Sequence, residues 1–211
     1  MVLQLHTLTT GPLQENCYIL DNEQELLLID PGAESQKILD FLKATKKTLQ
    51  GILLTHAHFD HIGALPAILK HYSVPVFLAA EEATWLTDPY FNLSQFFGQP
   101  FSYAIKTKDF QPYEQLGCFS FQVLKTPGHS IGGRSFYFPK EVFVLAGDTL
   151  FFTSIGRTDF PTGDFSTLKK SIQEQLFSLP DETVVYPGHG KATTVGFEKS
   201  ENPFVGVKSH D

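Results

Sequence analysis

Cysteine is scarce. Cys17 and Cys118 are the two in 211 residues, and neither belongs to a Cys-x-x-Cys pair. That excludes a disulfide-stapled scaffold and a Cys-rich, closed structural zinc centre. Both lie beside strand-like residues, so two buried free thiols are expected, with a single disulfide as the alternative. No apolar run approaches the ~18 residues of a membrane span. The first residues, Met1-Val2-Leu3-Gln4-Leu5-His6, carry neither a basic segment nor a long apolar stretch, so they do not read as a signal peptide. Lys and Arg form no run, and the formal net charge of −7 argues against non-specific nucleic-acid binding. Low-complexity segments and linkers are also missing. Together these absences predict a cytoplasmic chain with reduced thiols, one domain over residues 1–211, and no membrane or nucleic-acid partner. They leave the oligomeric state open.

What is present is enough for a core: 42% of residues are hydrophobic, and most of the 20 Phe are expected inside. Short apolar runs end abruptly in Gly, Pro, Asp or His. Leu26-Leu27-Leu28-Ile29 ends in Asp30-Pro31-Gly32, and Gly51-Ile52-Leu53-Leu54 ends in a histidine cluster. Later, Phe119 to Leu124 precedes Thr126-Pro127-Gly128-His129. Val142 to Leu145 precedes Ala146-Gly147-Asp148, and Val184-Val185-Tyr186 precedes Pro187-Gly188-His189. Continuous apolar runs read as buried strands. Polar residues gathered at strand ends are how open α/β sheets build a site along one edge. The repetition forms an echo between the two halves and suggests one shared site.

Helical patterns fill the gaps. Ser35 to Lys46 places Ile38, Leu39, Phe41 and Leu42 on one side. Asp60 to Tyr72 repeats the pattern, with Pro66 interrupting it. Glu81 to Leu86 reads as a short helix. Asp164 to Leu179 buries Leu168, Ile172, Leu176 and Phe177, with Asp164 or Ser166 as cap. Residues 88–112 lack a clean period. They read either as a partly helical insertion over the site or as a surface excursion tucked against the core.

The chemistry concentrates in Thr55-His56-Ala57-His58-Phe59-Asp60-His61, with three imidazoles and a carboxylate inside six positions. A single strand or helix could not bring them together, but a loop leaving a strand and entering a helix can. Imidazole nitrogen and carboxylate oxygen are metal donors, and these four would overfill one catalytic ion. Two metals with further donors are the natural inference, and His129, Asp148 and His189 supply those donors. His6, His71 and His210 lie in ordinary contexts and are left out.

In this order, His56-Ala57-His58-Phe59-Asp60-His61, His129, Asp148 and His189 resemble the signature of the metallo-β-lactamase superfamily, and Asp30-Pro31-Gly32 resembles its first motif. The resemblance covers essentially the whole chain. It implies an α+β fold, a four-layer αβ/βα sandwich of two mixed β-sheets with helices outside. It also implies that His56, His58 and His129 hold one metal, that Asp60, His61 and His189 hold the other, and that Asp148 bridges them. Asp30 would orient the histidine loop without touching metal. The metals would be two zinc ions, with iron, manganese or a mixed pair as alternatives. True metallo-β-lactamases usually have Cys where Asp148 stands, which argues against antibiotic hydrolysis. Gly156-Arg157-Thr158-Asp159-Phe160, Gly163-Asp164 and Glu201-Asn202-Pro203-Phe204 look like the short bacterial glyoxalase-II-like (hydroxyacylglutathione hydrolase-like) hydrolases. Full-length glyoxalase II carries a C-terminal helical domain that helps bind glutathione, whereas only 22 residues follow His189 here.

The expected activity is hydrolysis of a small thioester, S-lactoylglutathione or a related acyl-thiol, by hydroxide generated at the metals. Asp60 or Asp148 would orient it and take up a proton. Arg157 would meet a substrate carboxylate or instead pair with Asp159 or Asp164. The first alternative is an iron-dependent persulfide dioxygenase, which the same branch resembles and which would use His56, His129 and Asp148. A lactonase or a phosphodiesterase of the superfamily, or a non-catalytic binding module, ranks below these.

Overall fold

The computed structural model describes residues 3–97 and 99–207. The chain forms two compact units. One holds the chain up to Phe110 with Gln115–Ser120, and the other holds Gln111–Glu114 and the chain from Phe121 onward.

The first unit is built on the strands β1 (Gln4–Thr10), β2 (Glu15–Asp21), β3 (Glu25–Ile29), β4 (Thr48–Leu53) and β5 (Val76–Phe77), adjacent in that order. β1, β2 and β3 are antiparallel neighbours, whereas β3, β4 and β5 run parallel. Leu26 to Ile29 are completely buried, as expected of a continuous apolar run inside a sheet. Helix α1 (Ser35–Thr45) makes the crossover from β3 to β4 and buries Ile38, Leu39 and Leu42 against Leu26, Leu28 and Ile52. Because β3 and β4 are parallel, with Ile29 opposite Leu53, Asp30 and the histidine loop leave the sheet at the same edge.

The helix predicted from Asp60 to Tyr72 is two short ones, α2 (Phe59–Ile62) and α3 (Leu65–Leu69). Pro66 lies in the first turn of α3, where its missing N–H leaves no bond unmade. The break falls at Gly63, where a Cβ would meet the Gly32 carbonyl at 2.5 Å. The segment predicted as a helix over Glu81 to Leu86 is a 3-10 helix, Ala80–Thr87. Within residues 88–112 the structure places α4 (Ser94–Phe97), and Gly98 lies outside the described residues.

A second sheet uses β6 (Tyr113–Leu116), β7 (Phe119–Lys125), β8 (Arg134–Phe138), β9 (Phe143–Gly147), β12 (Val184–Pro187) and β13 (Thr193–Thr194), in the order β13-β12-β9-β8-β7-β6. A small hairpin, β10 (Leu150–Phe151) and β11 (Ser154–Ile155), follows β9. β9 and β12 are parallel, with Pro187 opposite Gly147. The helix predicted over Asp164 to Leu179 appears as α5 (Phe165–Ser171) continued by a wider, π-type turn over Ile172–Leu176. Asp164 is its cap and accepts the Thr167 N–H at 2.7 Å. Leu168, Ile172 and Leu176 pack with Val144, Ala146 and Val185. The last helix is α6 (Val195–Glu201). Among the described residues, no helix is long and apolar enough to cross a membrane.

Both cysteines are free thiols, but only Cys17 is buried. The expectation for Cys118 fails because its strand-like flanks are a hairpin turn, entered through Gly117 at φ +56°. Asn22 donates to its sulfur, and Glu25 accepts its backbone N–H. Desolvation and the Glu25 carboxylate push the Cys118 thiol up to about 11. Its thiolate is therefore a small minority at neutral pH. Alkylation of Cys118 by iodoacetamide is expected to be slow at pH 7 and to accelerate steadily toward pH 10 to 11, about tenfold per unit. A rate already flat above pH 8.5, followed by mass spectrometry, would contradict this.

Candidate metal centre

In the first unit the histidine loop is gripped by carboxylates. Asp30 accepts the Thr55 N–H at 2.7 Å and the Thr55 hydroxyl at 2.6 Å, and His61 Nδ1 donates to it at 3.1 Å. The Thr55 hydroxyl has thus given its single proton to Asp30. Toward His56 Nδ1, 3.0 Å away, it can only accept. Both imidazoles therefore carry a proton on Nδ1, and in the neutral ring this leaves the lone pair on Nε2, the tautomer a metal ligand needs. Asp30 adopts φ +48°, a left-handed conformation that Asp tolerates better than most residues.

His56, His58 and His61 are each 2% exposed or less. Their rings cluster, with centroids 4.5 Å apart for His56 and His58 and 4.2 Å apart for His56 and His61. Asp60 is half-buried, its carboxylate 3.9 Å from His61 Nε2. Gly32 explains how the Asp60 backbone comes so near, since a Cβ there would lie 1.7 Å from the Asp60 carbonyl. The segment after the loop touches it directly: Asn92 O accepts the Phe59 N–H at 2.8 Å, and Phe97 stacks on Phe59 at 5.5 Å.

In the second unit, Asp148 Oδ2 lies 3.5 Å from His129 Nε2 and 3.6 Å from His189 Nε2. A backbone bond from Gly188 N to Gly147 O, 2.8 Å, sets Asp148 and His189 side by side at the ends of the parallel strands β9 and β12. His129 is held from two sides. Its turn is anchored on α5, where Ser171 Oγ donates to Pro127 O at 2.7 Å and Asp164 N donates to Gly128 O at 2.8 Å. Its Nδ1 donates to the Arg157 carbonyl at 2.7 Å, which again leaves the lone pair on Nε2. Gly156, the preceding residue, permits this approach: a Cβ there would lie 1.9 Å from the Asp148 carbonyl.

The Arg157 side chain takes one of the partners foreseen for it. It is exposed, pairs with Asp159 at 2.9 and 2.6 Å, and lies 4.2 Å over the Phe160 ring. That hydrogen bond holds Asp159 below the usual carboxylate range. The tail motif is architectural: Asn202 donates to Ser154 O at 3.1 Å and to the buried Glu198 at 2.7 Å. Of the histidines set aside, His6 pairs with Asp21 at 3.3 Å and His71 is exposed, while His210 lies outside the described residues.

Two buried acids near the histidine loop, Glu82 and Glu15, have no signal in the sequence. Glu82, completely buried, accepts the Ala57 N–H at 2.7 Å. Glu15 is 1% exposed and accepts the Thr10 hydroxyl at 2.8 Å. Burial pushes the Glu15 carboxyl well above the usual range, with His61 opposing the shift and Asp30 adding to it. A buried carboxylate leaves no periodic signal, because its partner is chosen by tertiary packing.

In chemical terms the candidate donors are imidazoles, with hydrogen bonds at Nδ1 orienting His56, His61 and His129, together with carboxylates and no thiolate. That set fits zinc, iron or manganese.

The model of the metallo-beta-lactamase superfamily matches residues 10–189, and the chain belongs to that superfamily. It is a metal-dependent hydrolase with the α+β metallo-β-lactamase fold. A probable metallo-hydrolase of Streptococcus pyogenes is 45% identical over 90% of this chain and 85% of its own. Hydroxyacylglutathione hydrolase GloC of Haemophilus influenzae is 34% identical over 98% of this chain and 100% of its own. Among solved structures, the B3 metallo-beta-lactamase BLEG-1 superposes with TM-score 0.92 at 40% identity, covering 96% of this chain and 99% of that one. A di-iron-bound form of TTHA1623 gives TM-score 0.86 at 39% identity, over 94% and 99% of the two chains.

Proposed function

We propose that the chain, acting as a single domain, hydrolyses small acyl-thioesters of the S-lactoylglutathione kind at a two-metal centre. In this reading His56, His58 and His129 hold one metal, Asp60, His61 and His189 hold the other, and Asp148 bridges them. The placement of Asp148 Oδ2 at 3.5 and 3.6 Å from the Nε2 atoms of His129 and His189 carries the reading, because a carboxylate shared between two imidazoles is what a bridging ligand requires. Zinc is the proposed pair. The di-iron form of TTHA1623 makes iron the main alternative. The match to hydroxyacylglutathione hydrolase GloC over that protein's full length supports a glutathione thioester as substrate.

Bound metals would supply Lewis acidity and a water acidified into the neutral range. The chain's own groups do the rest. Asp60 or Asp148 orients the attacking water and takes its proton. Asp30, through Thr55 and His61, keeps the imidazoles in the coordinating tautomer. Arg157 exchanges the exposed Asp159 for a substrate carboxylate, a bidentate contact of the same geometry. The departing thiolate needs little protonation.

The test is turnover of S-lactoylglutathione by purified, metal-loaded protein beside a His58→Ala control. Wild type should turn over at least ~100-fold faster, since loss of a metal ligand removes several kcal/mol of transition-state stabilisation. Equal rates would sink the thioesterase reading. Oxygen uptake on glutathione persulfide with a single bound iron would replace it by a dioxygenase. Preferential hydrolysis of a chromogenic cephalosporin would replace it by a lactamase.

A further inference from the structure

The 3-10 helix Ala80–Thr87 contains none of the proposed ligands, yet two of its side chains reach the histidine loop. Glu82 accepts the N–H of Ala57, the residue between His56 and His58. Trp85 stacks on His58, with ring centroids 6.1 Å apart and planes inclined by 17°. The helix type explains the pairing: at three residues per turn, positions i and i+3 eclipse, so Glu82 and Trp85 share one face. An α-helix would have rotated them apart by a further ~60°.

Glu82 is completely buried, an expensive place for a carboxylate. Asp30 takes the N–H of Thr55 and Glu82 takes the N–H of Ala57, so two acids grip the backbone on either side of His56. Both bonds are short, 2.7 Å each, and together they fix the backbone from which His56 and His58 project.

We propose that Glu82 is a positioning residue that sets the metal affinity of His56 and His58, and that Trp85 optically reports occupancy of that position. The inference rests on the two-metal reading above. Trp85 is the single tryptophan of the chain and is 4% exposed, so intrinsic fluorescence reports on this one location.

The experiment titrates metal-free protein with Co²⁺ against a competing chelator, following Trp85 emission and the visible cobalt band. Wild type should bind two equivalents, with emission quenched mainly by one of them. In Glu82→Ala that equivalent should bind ~10–100-fold more weakly, the usual effect of losing a partner that orients a ligand. The other equivalent should move less, a split that general loosening of the fold would not produce. Glu82→Gln, which keeps an acceptor oxygen at the same reach, should recover part of the loss and serves where the alanine variant fails to fold. Two equivalents bound in both folded variants with wild-type affinities would overturn the role of Glu82 alone. A wild-type chain that binds no Co²⁺ would overturn the two-metal reading and the inference with it.

Discussion

Asp148→Ala is expected to lower kcat/KM on the thioester by roughly a thousandfold or more. The carboxylate is proposed to serve both metals, so its removal takes a ligand from each. Metal catalysis supplies several kcal/mol of transition-state stabilisation, and each 1.4 kcal/mol is a factor of ten in rate. The loss should appear in kcat as much as in KM, because the missing interaction belongs to the reacting centre. Folding should survive. Asp148 follows β9 rather than lying within it, and the apolar packing of Val144 and Ala146 on α5 is untouched. Metal content should fall in parallel with activity. Full metal content with wild-type turnover would remove Asp148 from the centre.

Gly156→Ala is expected to cost about as much activity as some ligand changes, although Gly156 donates nothing. The added Cβ would sit 1.9 Å from the Asp148 carbonyl and 3.2 Å from His129 Cβ, so the loop must move. Overpacking of this kind costs about 1–3 kcal/mol of stability. The larger effect is positional. The Arg157 carbonyl that holds His129 Nδ1 is the next residue, and a displacement of about 1 Å at a reacting centre can cost roughly a hundredfold in rate. Gly32→Ala is the counterpart in the other half, with its Cβ 1.7 Å from the Asp60 carbonyl. In each half a glycine lies against the backbone of a candidate carboxylate ligand, so the echo between the halves extends from strand ends to the packing beneath them. Steady-state kinetics beside a thermal unfolding curve separates the two effects. A variant that loses stability but keeps full turnover when folded would show that the loop tolerates the shift.

Much of this is legible in the sequence alone. Runs such as Leu26 to Ile29 are apolar because both faces of the strand are buried, and the polar residues that end them mark the edge where a site is built. Asp30 could be picked out because its motif is local. The break between α2 and α3 was not legible, since it depends on Gly63 meeting the carbonyl of Gly32, a contact across 31 positions. Cys118 was misplaced because a hairpin turn between strands has strand-like neighbours. Glu82 was missed because its partner, the Ala57 N–H, lies 25 residues away and leaves no trace in composition or period. Arg157 shows the opposite case. Its ion pair with Asp159 was foreseen, but the atom that matters to the centre is its backbone carbonyl, which every residue possesses.

Seven residues, His56, His58, Asp60, His61, His129, Asp148 and His189, are proposed to serve one centre with two metals. Metal content per chain, measured by mass spectrometry on protein purified without added metal or chelator, tests it most directly. Two equivalents, zinc alone or zinc with iron, are expected in wild type, with loss in Asp148→Ala. One equivalent or fewer in wild type, unchanged by that substitution, would rule out a two-metal centre built on Asp148.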